Sequence, residues 1–283
     1  MSKSSGALAS DHLDHLVLTA RACARAASEV ALPLFRSPLL AETKPGAAFD
    51  PVTEADRGAE AAIRKVLGDV LPDHGVVGEE YGQDRPDAEF VWVLDPIDGT
   101  RAFISGLPLW TTLIALCHQG RPVLGLIAQP YLGEVFVGTE TGSVLHRDNG
   151  ADQVLRVRPC ETLGAATLAT TDPGLFNGAE LGAWRQVAHA ARLARLGCDA
   201  YAYAMCASGH IDLVAESGLK VWDWMALQPV VEGAGGSFTD WRGEPLRLDP
   251  ARDFAGGARQ VIACGQRAVL DEALVAFARS AEA

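Results

Sequence analysis

The segment Trp92-Val93-Leu94-Asp95-Pro96-Ile97-Asp98-Gly99-Thr100 leads an apolar, strand-like run into two carboxylates, a proline and a glycine. Two carboxylates three residues apart on a tight turn can converge on one cation, and the Ile97 carbonyl between them offers a further oxygen. Oxygen ligands of this kind suit Mg²⁺, which is held by few carboxylates and completes its shell with water and substrate phosphate. The commoner use of an Asp-Pro-x-Asp-Gly run is to shape a turn or cap a short helix. On this segment alone the two readings stand level. Two others shift the balance: Gly78-Glu79-Glu80 also follows a short apolar run, and Trp222-Asp223 stands between a strand-rich region and a helix. Either pair by itself is ordinarily a solvated surface feature.

Taken in order, Asp50-Pro51-Val52-Thr53-Glu54-Ala55-Asp56, Gly78-Glu79-Glu80, Asp95-Pro96-Ile97-Asp98-Gly99-Thr100 and Trp222-Asp223 resemble the motifs of the inositol monophosphatase superfamily, over most of the chain. The resemblance implies an α+β or α/β fold, a layered αβαβα sandwich, usually homodimeric. It also implies hydrolysis of a small-molecule phosphate ester with Mg²⁺, two or three ions per site, and no covalent phosphoenzyme. Carried across by residue, Glu79 and Asp95 become ligands of a first metal whose shell the Ile97 carbonyl completes. Asp95 would bridge to a second metal, also held by Asp98 and Asp223. Two cations about 3.5–4 Å apart can activate a water and stabilise the attacking and leaving oxygens of an in-line displacement. Asp56 and Thr100 match the pair that orients or deprotonates that water, with Glu79 beside them; a hydroxyl relays a proton only if a carboxylate accepts from it. The Gly99 and Thr100 amides would meet the phosphate at a helix N-terminus, where unpaired donors and the dipole favour an anion. The plain alternatives are that Asp56 only caps a helix and Gly99 only makes a turn.

The longer run from Asp95 through Arg101-Ala102-Phe103-Ile104-Ser105-Gly106, with Gly197-Cys198-Asp199-Ala200-Tyr201 and Val231-Glu232-Gly233-Ala234-Gly235-Gly236, resembles the histidinol-phosphate phosphatase branch. Histidinol carries an ammonium and an imidazole, so its pocket should offer acids beyond the metal site. Asp199 and Glu216 are the candidates: Glu216 lies seven residues before Asp223, and Asp199 replaces a small residue expected in an inositol enzyme. The plain alternative is that either acid is a surface or capping residue, Asp199 more readily than Glu216. The expected reaction is L-histidinol phosphate to L-histidinol and phosphate. The alternatives are an inositol-1-phosphate phosphatase, more distantly a nucleotide 3′-phosphatase or sugar bisphosphatase, and a non-catalytic metal-dependent binding protein on the same fold. Arg101 could reach the phosphate but reads better as a solvated helix residue, and Lys44 as a loop lysine. Trp110 and Trp224 read as packing residues, although the bulk of Trp224 beside Asp223 could reshape the substrate mouth. The seven histidines show no ligand spacing.

The elements that must position these groups follow from apolar spacing. Residues 11–35 repeat at three and four and predict an amphipathic helix; Thr53, with Asp56 three residues on, opens a second helix over 54–71 in a capping-box pattern. Between them 44–51, rich in Pro, Gly and Ala, predicts a loop. Short β-branched runs at 75–77, 90–94, 111–117, 123–128 and 134–138, separated by turn signals, predict an antiparallel meander. A break around 147–150 and Pro159 divides an N-terminal α+β half, 1–150, from a C-terminal α/β half, 151–283. In the second half, strands are expected at 166–170, 211–215, 236–239 and 261–264, with helices at 179–195, 200–208, 225–232 and 267–280.

A chain of 283 residues that is 48% hydrophobic can bury a large core, and its formal charge of −12 without a basic run excludes a nucleic-acid partner. Six scattered cysteines with no metal spacing, and no apolar run long enough to span a bilayer, predict a reduced, cytoplasmic protein with no membrane association.

Overall fold

The computed structural model describes residues 9–37, 42–43, 51–148 and 150–280. Lys44 and nearly all of the expected 44–51 loop lie outside them. Helix α1, Ser10–Leu34, buries the small-residue face Ala20, Cys23, Ala24, Ala27 and Ala31. A two-residue pair follows, β1 (Glu42–Thr43) against β2 (Pro51–Val52). Helix α2, Glu54–Val70, starts at the predicted capping box: the Thr53 hydroxyl accepts from the Ala55 amide, and the Asp56 side chain accepts from the Thr53 amide.

The next elements are β3 (Gly75–Gly78), β4 (Gly82–Asp84), β5 (Phe90–Asp98), α3 (Thr100–Ile104), β6 (Thr111–His118), β7 (Arg121–Gln129), β8 (Glu134–Thr139), β9 (Gly142–Arg147) and β10 (Gln153–Val154). Strands β3 to β10 make an eight-stranded sheet in the order β10-β9-β8-β7-β6-β5-β3-β4. The expected antiparallel meander is present from β5 to β8, but β3 pairs parallel with β5 and forms a hairpin with β4 at the sheet edge. Beyond residue 138 the chain adds β9 and β10, which the sequence reading did not anticipate; β10 folds back on β9.

The remainder comprises β11 (Thr167–Thr170), α4 (Gly178–Ala190), β12 (Leu193–Leu196), α5 (Tyr201–Ala207), β13 (Leu213–Leu219), α6 (Val221–Trp224), α7 (Leu227–Gly233), β14 (Ser237–Thr239), α8 (Pro250–Asp253), β15 (Arg259–Cys264) and α9 (Arg267–Ser280). They build a five-stranded sheet in the order β12-β11-β13-β15-β14. The helix expected over 179–195 ends at Ala190, and Leu193–Leu196 is instead a strand parallel to β11. Leu, Ala and Arg favour helix locally, but pairing satisfies the open backbone edge of β11, and tertiary context overrides the propensity.

Alternation on the strands explains the layering. On β5, Trp92 and Leu94 join the core beneath α1 and α2, whereas Val91 and Val93 join the core around α5 to α7. On β15, Val261 and Ala263 face that central helical layer, while Ile262 and Cys264 face α4 and α9. Both sheets are therefore covered on both faces, giving the αβαβα order implied by the resemblance, and the central core is continuous between them. Cys23, Cys117, Cys206 and Cys264 are buried, whereas Cys160 and Cys198 are only partly so. Among the described residues no helix is long and apolar enough to cross a membrane.

The outer layer matters to the site because α2 carries Asp56. Helix α1 lies against α2 through Ala24 and Ala27 of the one and Ala59 of the other, all in the same core cluster. Such closely packed positions tolerate added volume poorly. Ala27→Leu is expected to destabilise the fold by about 1–3 kcal/mol, read as a lower midpoint in urea denaturation.

Candidate active site

The exit of β5 sits where the two sheets and the central helices meet. Asp95 shares the strand parity of Val91 and Val93, so it faces the central layer; the pairing with β6 then shifts register between Asp95 and Asp98. A bulge of this kind re-aims a side chain. Asp95 is buried and accepts from the Ile97 amide at 3.1 Å. Asp98 accepts from the Ala200 amide at 2.8 Å, which ties the β5 exit to the start of α5. Gly99 has φ +80° and turns the chain directly into α3, a conformation that a side chain would strain. Among the described residues no side chain caps the first turn of α3.

Thr100 stands at the head of that helix with two acceptors for its single proton, Asp56 Oδ1 at 3.2 Å and the Ile97 carbonyl at 3.1 Å. Asp56 is 2% exposed, and its other oxygen receives the Thr53 amide at 2.8 Å and the Thr53 hydroxyl at 2.5 Å. It therefore caps α2 and also faces Thr100. Burial, outweighing the bonds from Thr53, raises its pKa.

Glu79 follows β3, its amide donating to the Leu94 carbonyl at 3.2 Å. Asp223, on α6, accepts from the Lys220 amide at 2.7 Å. Glu79, Asp95, Ile97, Asp98, Gly99, Thr100, Asp199, Glu216 and Asp223 all line one cleft of about 440 Å³, and Asp56 adjoins it through Thr100.

Glu216 and Asp199 differ in surroundings. The Glu216 carboxylate is committed within the protein: one oxygen accepts from the Thr171 amide (2.9 Å) and hydroxyl, the other from Tyr203 Oη at 3.0 Å. Asp199 has φ +44°, an uncommon backbone setting for a residue with a side chain, and its carboxylate accepts no hydrogen bond among the described residues. Trp224, expected as a possible influence on the substrate mouth, is fully buried in the central core and does not reach the cleft; Trp222 lines it instead. Trp110 is buried as expected. Arg101 lines the mouth and stands 3.9 Å from Asp172 across it. Thr171, Leu175, Phe176, Leu219 and Trp222 complete the walls and carry no motif that would have singled them out in the sequence.

Seven carboxylates line this cleft against two cationic side chains, Arg101 and Lys220. Burial and then repulsion from Glu79, Asp98 and Asp223 hold the Asp95 pKa well above the carboxylate range. Burial and Asp199 do the same to Asp98. Burial and Glu79 push Asp223 up to about 8, and burial and Glu216 push Asp199 up to about 7. Among the described residues no three acidic, histidine or cysteine side chains form a ready-made metal shell. The acids are nevertheless close enough to disfavour one another's charge, so either protons or cations must offset it. An all-oxygen set with a backbone carbonyl fits a hard divalent cation. A phosphate dianion would be repelled by these acids unless bound cations reversed the local charge.

These shifts have a sign. Each acid holds its proton more tightly folded than unfolded, so its contribution is full below the unfolded carboxylate pKa and is lost as pH rises through the folded one. Metal-free protein is expected to show a falling Tm from about pH 5 to the neighbourhood of the Asp223 value, about 8. Added Mg²⁺ should raise Tm more at the upper end than at the lower. Thermal melts in a chelating buffer, with and without Mg²⁺, check this.

A model of the inositol monophosphatase family matches residues 12–282. The chain is 40% identical over 269 residues to the bifunctional phosphatase IMPL2, chloroplastic, of Arabidopsis thaliana, covering 94% of this chain and 76% of that protein. It is 35% identical over 212 residues to a histidinol-phosphatase of Mycobacterium tuberculosis, covering 71% and 78%. Among solved structures, an inositol monophosphatase from Zymomonas mobilis superimposes with a TM-score of 0.82 at 42% identity, covering 95% of this chain and all of that one. The chain belongs to the inositol monophosphatase family and is a phosphatase of small phosphate esters.

Proposed function

We propose that this chain is a Mg²⁺-dependent histidinol-phosphate phosphatase, releasing L-histidinol and phosphate by attack of water. The observation that carries the substrate is Asp199, an acid on the cleft wall whose carboxylate accepts no hydrogen bond among the described residues, beside the metal-type carboxylates. A cationic amine or imidazole would add to the partial compensation that Arg101 already gives it, whereas a neutral polyol would not. The histidinol-phosphatase relative supports the same reading. The second reading, an inositol-phosphate phosphatase, is favoured by the likeness to the Zymomonas mobilis enzyme.

In this account Glu79, Asp95 and the Ile97 carbonyl would hold one Mg²⁺, and Asp95, Asp98 and Asp223 a second, with two or three ions per site. Such ions supply charge neutralisation at the phosphate and ease deprotonation of water. Thr100 donates its proton to Asp56, which leaves its own oxygen free to accept from the attacking water and orient it. The uncapped first turn of α3 presents the Gly99 and Thr100 amides to the phosphate. Asp199 would bind the cationic end of the substrate. Glu216 would act one step back, its bonds to Thr171 and Tyr203 fixing the opposite wall. The site is thus shared between the halves 1–150 and 151–283. Unpaired cysteines suit a cytoplasmic setting, and the family resemblance favours a homodimer.

Asp98→Asn and Asp223→Asn are each expected to lower kcat by about 100-fold or more with an unchanged far-UV spectrum; near-normal turnover in both at saturating Mg²⁺ contradicts the metal assignment. Phosphate release from histidinol phosphate and inositol 1-phosphate, measured side by side, separates the two substrates. Asp199→Asn should raise KM for histidinol phosphate by about 10- to 100-fold, the worth of a charged hydrogen bond, and leave any inositol 1-phosphate hydrolysis nearly unchanged.

A further inference from the structure

Glu79 sits in the three-residue connection Glu79-Glu80-Tyr81 that closes the β3–β4 hairpin, where Gly78 pairs with Gly82. A loop of this kind at a sheet edge is ordinarily free to move, yet here it must present a carboxylate to the cleft. What holds it comes from α2. Glu60, fully buried, accepts from the Glu80 amide at 2.8 Å through one oxygen and from the Tyr81 amide at 3.2 Å through the other. Two successive amides converging on one anion form a small anion-binding nest. The second oxygen also receives Arg64 Nε at 2.8 Å, and Arg64 Nη2 continues to the Gly82 carbonyl at 2.5 Å. The Glu79 amide is tied on the other side to Leu94 of β5.

Position 78 shows how closely the carboxylate approaches: a Cβ there would stand 2.1 Å from Glu60 Oε1, so only glycine admits Glu60 to the nest. Asp56, Glu60 and Arg64 lie four residues apart on one face of α2. The first meets Thr100, the second grips the Glu79 loop, and the third ties the end of that loop to the second. One helix face thereby sets the spacing between the water-orienting pair and the proposed metal ligand Glu79.

We propose that Glu60 is a positioning residue for the cation site, holding Glu79 in ligand geometry by binding the Glu80 and Tyr81 amides, with Arg64 as its anchor. The inference rests on the reading that Glu79 holds Mg²⁺. It makes metal affinity, rather than the chemical step, the quantity that Glu60 controls.

The test is Mg²⁺ binding to the purified full chain by isothermal titration calorimetry, alongside kcat as a function of Mg²⁺. For Glu60→Gln, which keeps the size but weakens the acceptor, the Mg²⁺ Kd should rise about 10- to 100-fold, the usual effect of removing a partner behind a metal ligand. Turnover should recover to within a few-fold of wild type at saturating Mg²⁺. Arg64→Met, at a part-exposed position, should move Kd the same way by less and guards against misfolding of the first variant. An unchanged Kd in both variants, or a lost kcat with unchanged Kd, overturns the role of Glu60. Wild-type protein that binds no Mg²⁺ overturns the metal reading together with it, so the two failures are distinguishable.

Discussion

Mutual repulsion among clustered carboxylates is the constraint on which the rest of this structure depends. Asp95, Asp98, Asp199, Glu216 and Asp223 are brought into one cleft with Glu79; Asp95 and Glu216 are buried and the others half-buried, which weakens the screening that water gives them. A fold can hold such a cluster only if its scaffold is rigid enough that the acids do not simply swing apart. Four of these acids are accordingly fixed through backbone or neighbouring donors: Asp95 by the Ile97 amide, Asp98 by Ala200, Asp223 by Lys220, Glu216 by Thr171 and Tyr203. These bonds leave lone pairs over for a cation, which converts the repulsion from a cost to folding into an affinity.

The layered architecture supplies that rigidity. Strand β5 is packed by α1 and α2 on one face and by the central helices on the other, so its bulged end cannot relax outward. The acids arrive from five elements or their ends: the β3–β4 hairpin, β5, the start of α5, β13 and α6. The full set could not be supplied by either sheet alone, and the bond from the Ala200 amide to Asp98 ties the two contributions together. Function is therefore tied to the docking of the two sheets, and their shared apolar core is also what keeps the ligands in place.

Much of this was legible in the residue order. The Asp95 to Thr100 run, Glu79, Asp223 and the Thr53/Asp56 box all carry local signatures, and the first helices and the strands β5 to β8 follow from periodicity. The parts that were not legible depend on partners distant in sequence. Strand β12 has helix-favouring residues and becomes a strand only because β11 offers an edge. Strand β10 is two residues long and exists by folding back on β9. Trp222 and Trp224 flank Asp223 with equal bulk, and only the turn of α6 decides that one faces the cleft and the other the core. Glu216 could be placed at the site but not recognised as internally bonded, since Thr171 lies 45 residues away. Glu60 reads as an ordinary helix glutamate until the Glu79 loop is seen folded onto it.

The most direct measurement is the anomalous scattering of Mn²⁺, substituted for Mg²⁺, in crystals of this protein. Peaks within bonding distance of Glu79, Asp95, Asp98 and Asp223 oxygens, one of them also at the Ile97 carbonyl, are the predicted result. A cleft without such peaks at millimolar Mn²⁺, or peaks confined to other acids, would contradict the account of these carboxylates as a cation site.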